Sequence, residues 1–147
     1  MTEEFKESSY FKKLISLAIT QAHKTIIFGR KKNRFRLGAV LWKRHDILGL
    51  GRNWYDKTHT LANVPLKDND RSKERLHHYL HAEIDSVIGV DRNETFGASI
   101  LVVRLDPFGN LRMAKPCESC WSFLYNLNIR RIFWSTNEKN ISNFSFW

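Results

Sequence analysis

The sequence predicts an α/β domain of three layers, α/β/α, with a central mixed sheet of about four to five strands flanked by helices. Two observations predict it. Apolar residues recur at helical spacing in some segments, and short, apolar, β-branched runs stand between those segments in the order α, β, β, α, β, α, β. A length of 147 residues fits one domain, 1–147, and leaves little room for a second.

The first helix starts at Ser8 or Ser9, both good N-caps. Phe11, Leu14, Ile15, Ala18, Ala22 and Ile26 carry its apolar stripe to about Phe28-Gly29. A basic connector, 30–36, leads to LGAVLW (37–42) and ILGLG (47–51), two strands joined by a tight turn at Lys43-Arg44-His45-Asp46. The polar stretch from Asn53 to about Arg75 is too long for a turn and reads as a functional loop. In LHHYLHAEIDSVIGV, Leu76, Leu80, Ile84, Val87 and Ile88 share a helical face, and this second helix starts either there or only at His81. ILVVRL (100–105) is a buried type of strand, DPFGN a turn, Cys117 to Asn126 a helix, and Ile129 to Trp134 a strand. Thirteen residues follow, and their apolar positions Ile141, Phe144, Phe146 and Trp147 suit an edge strand, core packing or a subunit contact.

With 42% hydrophobic residues, 7 Gly and 3 Pro, the chain is neither disordered nor collagen-like. Lys and Arg outnumber Asp and Glu by 24 to 15, and the resulting +9 favours an anionic partner. Much of that charge lies in 24–44, where Lys24, Arg30, Lys31, Lys32, Arg34, Arg36, Lys43 and Arg44 occur without an acid. This segment is either a solvated connector or a phosphate-binding one, for a nucleotide or for a nucleic acid. Trp54 and Tyr55 offer stacking surfaces for bases, while Trp42, Trp121 and Trp134 suit the core. The first residues lack the apolar stretch of a signal peptide and no run has membrane-spanning length, so a cytoplasmic protein without membrane association is expected.

The two cysteines, Cys117 and Cys120, are spaced C-x-x-C, which points to metal or redox chemistry. Three residues apart at a helix start, their sulfurs share a face, and the helix N-terminus favours both thiolates. Two thiolates with the imidazole of His81 make a three-ligand zinc site, which leaves a fourth position open as catalytic zinc requires. Two other readings stay open on residues alone: a redox dithiol, and a His77/His81 metal pair at helical spacing. Glu83, two residues past His81, points elsewhere in a helix and is placed to carry protons beside a metal.

His81-Ala82-Glu83 followed by Pro116-Cys117-Glu118-Ser119-Cys120 is the H-x-E, P-C-x-x-C pattern of zinc-dependent nucleobase deaminases. From about Leu37 to Trp134 the chain resembles the cytidine and deoxycytidylate deaminase superfamily. Arg36-Leu37-Gly38-Ala39-Val40 is similar to that family's first strand, and Gly49-Leu50-Gly51-Arg52-Asn53 to the end of its second. The resemblance implies a cytidine-deaminase-like fold and one Zn2+ per chain on His81, Cys117 and Cys120. It makes Glu83 the proton shuttle and Asn53 a contact to sugar or base. It also places the backbone near Ala82 against the base edge. Lys57-Thr58-His59 resembles a segment of small microbial and phage members, which puts Thr58 and His59 near the substrate. The implied reaction is hydrolytic conversion of cytosine to uracil in a free nucleotide or nucleoside. A deaminase of cytosine or adenine in single-stranded DNA or RNA, tRNA included, is the alternative, favoured by the charge. A non-catalytic zinc-stabilised module is a third reading, and Glu83 argues against it. Most relatives are oligomeric, so a homo-oligomer is expected. The short tail after Trp134 departs from relatives that continue there.

Overall fold

The computed structural model describes residues 8–27, 35–55 and 80–147. Helix α1 (Ser9–His23) is capped by Ser8, whose hydroxyl accepts from the Phe11 amide at 2.9 Å. Strands β1 (Arg36–Lys43) and β2 (Asp46–Arg52) form an antiparallel hairpin. Helix α2 (Ala82–Val87), the single turn α3 (Arg92–Thr95) and strand β3 (Ser99–Leu105) follow. The chain continues through β4 (Leu111–Arg112), helix α4 (Glu118–Asn126), β5 (Arg131–Ser135) and β6 (Ile141–Ser145). The strand order is β2-β1-β3-β5-β6, with β4 beside the end of β3. Only β3 and β5 run parallel, so the sheet is mixed, as expected.

Alternation along the strands sorts the side chains into two cores. Val40, Trp42, Leu101, Val103 and Phe133 face α1 and pack on its Phe11, Leu14, Ala18 and Ala22. Ala39, Leu41, Ile100, Val102 and Ile132 face the other way, onto Ile84 and Val87 of α2 and Phe123 and Leu124 of α4. These are the three layers. Among the described residues, no helix is long and apolar enough to cross a membrane.

Two elements depart from expectation, the end of α1 and the added β4, while the start of the second helix and the form of the tail each take one of the alternatives expected of them. Helix α1 stops at His23, because Lys24 turns back to hydrogen-bond the Gln21 and Ala22 carbonyls, and Ile26 is 56% exposed. The second helix begins at Ala82; Leu80 pairs instead with Trp54 in a short antiparallel bridge (2.8 and 3.2 Å). Strand β4 is added beside β3. The tail forms β6, which hydrogen-bonds along β5 as the sheet's edge. Trp42 and Trp134 are core residues, as expected, while Trp121 is half-buried in an aromatic cluster with Phe144 and Phe146.

Three glycines, Gly38, Gly49 and Gly51, set how closely helices approach the sheet, and a Cβ on Gly49 would strike the Ser86 carbonyl of α2. A Cβ on Gly38 would strike the Ala18 carbonyl of α1, and one on Gly51 would strike the Ala82 carbonyl and come within 2.5 Å of the Ser86 nitrogen. The approach at Gly51 lowers the start of α2 onto β2.

Candidate active site

Two helix starts meet over the same face of the sheet. His81 is the N-cap residue of α2, held from behind by the Leu80–Trp54 bridge, and Cys117 is the N-cap residue of α4. Asp85, one turn into α2, accepts from the Arg52 amide (3.0 Å) and from Trp54 Nε1 (3.2 Å), which ties the helix to the end of β2. Trp54 is therefore a brace, with the Arg52 guanidinium 3.7 Å over its ring. Tyr55 exchanges hydrogen bonds with the Phe35 backbone.

His81 Nδ1 lies 3.4 Å from Cys120 Sγ and 3.8 Å from Cys117 Sγ, and all three donor atoms lie within 4.8 Å of one another. Zinc–sulfur and zinc–nitrogen bonds at tetrahedral angles set donor separations of about 3.6 Å, so the spacing fits. The chemistry of the donors fits as well. Burial opposes charge on His81, but its hydrogen bond with Cys117 and the charges of Glu83 and Cys117 outweigh burial and raise its pKa. The Cys120 thiol is pushed well up by its hydrogen bond with Cys117, by burial and by the charge of Glu83. That is opposite to the thiolate-favouring effect expected of the helix start. A divalent cation offsets the repulsion that the buried Cys120 sulfur meets from Glu83 and from the exposed Cys117. His81, Cys117 and Cys120 are thus positioned to hold a metal ion.

Glu83 is 3% exposed, in the first turn of α2 and within hydrogen-bond reach of Cys120. With His81, Ala82, Cys117 and Asn53 it lines a cavity of about 160 Å³. Asn53 is buried and pinned: Oδ1 accepts from the Leu37 amide (2.9 Å) and Thr25 Oγ1 (2.7 Å), and Nδ2 donates to the Phe35 carbonyl (2.8 Å). An amide nitrogen carries two hydrogens, so Nδ2 has one beyond its bond to Phe35, and Asn53 lines the cavity. The sequence-predicted residues His81, Ala82, Glu83, Cys117, Cys120 and Asn53 therefore converge. Thr58, His59 and His77 lie outside the described residues, as does 30–34 of the basic connector 30–36.

Arg104 and Lys115 also line the cavity and were not singled out by the sequence reading. The Arg104 guanidinium lies 3.5 Å over the Phe35 ring, its Nε has no partner among the described residues, and burial lowers its pKa. The one signal was a charge inside the apolar run ILVVRL. Lys43 and Arg44, at the far end of β1 from Leu37, do not reach this cavity.

A helix-flanked mixed sheet that brings one imidazole, two thiols and a buried carboxylate to one small cavity defines a zinc-hydrolase type of domain. The family model described as the cytidine and deoxycytidylate deaminase zinc-binding region matches residues 9–136, and the chain belongs to that family. Among solved structures, a cytidine deaminase from Burkholderia pseudomallei is similar at 16% identity and a TM-score of 0.59, over 99% of this chain and 93% of that one. The dCMP deaminase of the cyanophage S-TIM5 is similar at 15% identity and a TM-score of 0.53, over 93% of this chain and 86% of that one. A diaminohydroxyphosphoribosylaminopyrimidine deaminase/5-amino-6-(5-phosphoribosylamino)uracil reductase from Thermotoga maritima has a TM-score of 0.54 at 18% identity, over 89% of this chain and 30% of that one. At these identities the likeness establishes the fold. No curated protein matches the sequence significantly.

Proposed function

We propose that the chain deaminates cytosine hydrolytically to uracil in a free nucleotide or nucleoside. The observation that carries this reading is the buried Glu83 carboxylate beside the His81, Cys117 and Cys120 donors at one small cavity. Zinc held by those three residues supplies Lewis acidity to a water in the cavity. Glu83 takes a proton from that water as its oxygen adds to C4 of the ring. It passes that proton to the ring nitrogen, then takes the proton of the new C4 hydroxyl and delivers it to the exocyclic amine, whose bond to C4 breaks as ammonia leaves and the C4 carbonyl forms. The remaining Nδ2 hydrogen of Asn53 and the backbone near Ala82 orient sugar and base edge. Arg104 and Lys115, two cations at a cavity this small, suit a substrate that carries phosphate.

The test is one broad assay. Zinc-loaded protein is incubated with cytidine, deoxycytidine, their monophosphates, tRNA and single-stranded DNA, and uracil or hypoxanthine is followed by mass. We expect uracil from a monomeric substrate, with monophosphates preferred. Deamination confined to polymers would establish the nucleic-acid reading in its place, and retained zinc without ammonia release from any compound would leave a binding module.

A further inference from the structure

A second concavity, of about 670 Å³, lies at the opposite end of the sheet from the metal centre. It is basic: Lys43, Arg44 and His45 come from the β1–β2 turn, and Arg130 and Arg131 from the start of β5. The register explains why they meet. Trp42 of β1 and Arg131 of β5 both pair with Ser99 of the intervening β3, so the two basic walls stand about 10 Å apart. Ser8, the N-cap of the 15-residue helix α1, also lines the cleft and turns that helix's positive end toward it.

None of the four Lys and Arg side chains is in an ion pair with another described residue, and Lys43 reaches only the Asn93 carbonyl, at 3.5 Å. Asp46, in the same turn, places a negative charge near Tyr10. Tyr10 lines the cleft with a hydroxyl that is buried and has no hydrogen-bond partner among the described residues. Burial, then Asp46, raises its pKa, so it stays a donor. Cations gathered around a concavity without an ion pair among the described residues repel one another, and an anion there removes that cost.

We propose that this cleft is a second binding site, separate from the metal centre, for a chain of linked phosphates. Four cations on two walls match several phosphates better than one. The aromatic surroundings point to phosphates as the recognised groups. Trp42 is 4% exposed and stacked on Phe133, so its ring presents no face to a base. Phosphates of this kind come from a free polyphosphate or from the backbone of a single-stranded nucleic acid. The site does not depend on the deaminase reading.

The test is titration of the full-length zinc-loaded protein with sodium triphosphate and with inorganic phosphate by calorimetry, and with a fluorescent single-stranded oligonucleotide by anisotropy. Arg44→Gln/Arg130→Gln is compared with wild type and with the charge-matched control Lys12→Gln/Lys139→Gln. All four are exposed positions, and unchanged melting checks the fold. We expect triphosphate to bind more tightly than phosphate. The Arg44/Arg130 variant should weaken triphosphate or oligonucleotide binding by roughly tenfold or more, with a shallower salt dependence, and the control should not. Oligonucleotide binding alone, lost in the same variant, supports the site and names the backbone as its source. Equal binding by variant and wild type would overturn it. So would binding abolished by Arg104→Gln and untouched in the cleft variant, which assigns the phosphate to the metal cavity.

Discussion

Glu83 is the residue on which the chemistry turns, because among the described residues it is the one buried carboxylate that shares the cavity with the metal donors. Glu83→Gln keeps shape and an acceptor oxygen but cannot carry a proton. We expect zinc content to stay at one per chain while kcat falls by roughly 10²- to 10⁴-fold; turnover near wild type would remove the shuttle. A second carboxylate, Asp106, works on the fold alone. Its side chain accepts from the backbone amides of Asn110 and Phe108 in the DPFGN turn, and Arg112 stands 3.0 Å away. The Asn110 amide has the largest effect and, with the Phe108 amide, the Asn110 side chain and the Arg112 charge, outweighs burial and holds its pKa below the ordinary 3.8. The sign follows: a carboxyl more acidic in the folded chain stabilises it above the unfolded pKa, and that stability is lost as pH falls through the folded value. Asp106→Asn should therefore melt below wild type at pH 6, with the gap closing toward pH 3. A gap independent of pH would mean that the charge contributes nothing.

Individual elements show why these residues meet. Helix α2 has six residues, too few to be stable alone, so its place comes from outside contacts. Gly51 beneath it and Asp85 tied to the Arg52 amide and Trp54 supply them. Gly51→Ala should lift the helix start from β2, lowering stability by about 1–3 kcal/mol. It should also lower kcat disproportionately, since Glu83 and His81 ride on the same turn. Thermal melts and steady-state kinetics of the one variant test both effects, and a Gly51→Ala chain as stable and active as wild type would show that the close approach is dispensable. These contacts also mark what was readable beforehand. The C-x-x-C and H-x-E spacings were legible because local helix geometry fixes them, and the core strands because each is a continuous apolar run. Ile26 continued a helical period that Lys24 had already ended, since periodicity registers apolar spacing and not the cap. The pairing of the tail with β5 and the placing of Arg104 and Lys115 at the cavity come from sheet register and a loop's path. The charge inside ILVVRL and the apolar tail mark the residues, but not the partners they meet.

Across the molecule, the metal donors come from two segments that are far apart in the chain, His81 at the start of α2 and the cysteines at the start of α4. A bound ion therefore cross-links two helices over one face of the sheet. The rest of the fold does not depend on that link. Two apolar cores, one on each face, contain fully buried residues such as Phe11, Leu14, Ile100 and Phe133, each worth roughly 1.5–3 kcal/mol. This differs from small zinc modules that unfold when the metal leaves. Removing zinc with a chelator should leave the far-ultraviolet circular dichroism largely native. It should still lower the Tm by about 10 °C, from about 4 kcal/mol of binding energy at zinc well above its Kd and a few degrees per kcal/mol for this size. Cys117→Ala should start near the chelated Tm and respond little to chelator or to added zinc, because its donor set is already broken. The two responses separate the roles of metal and core. Complete unfolding on chelation would make zinc the organiser of the fold, and an unchanged Tm would mean that His81, Cys117 and Cys120 hold no ion in solution.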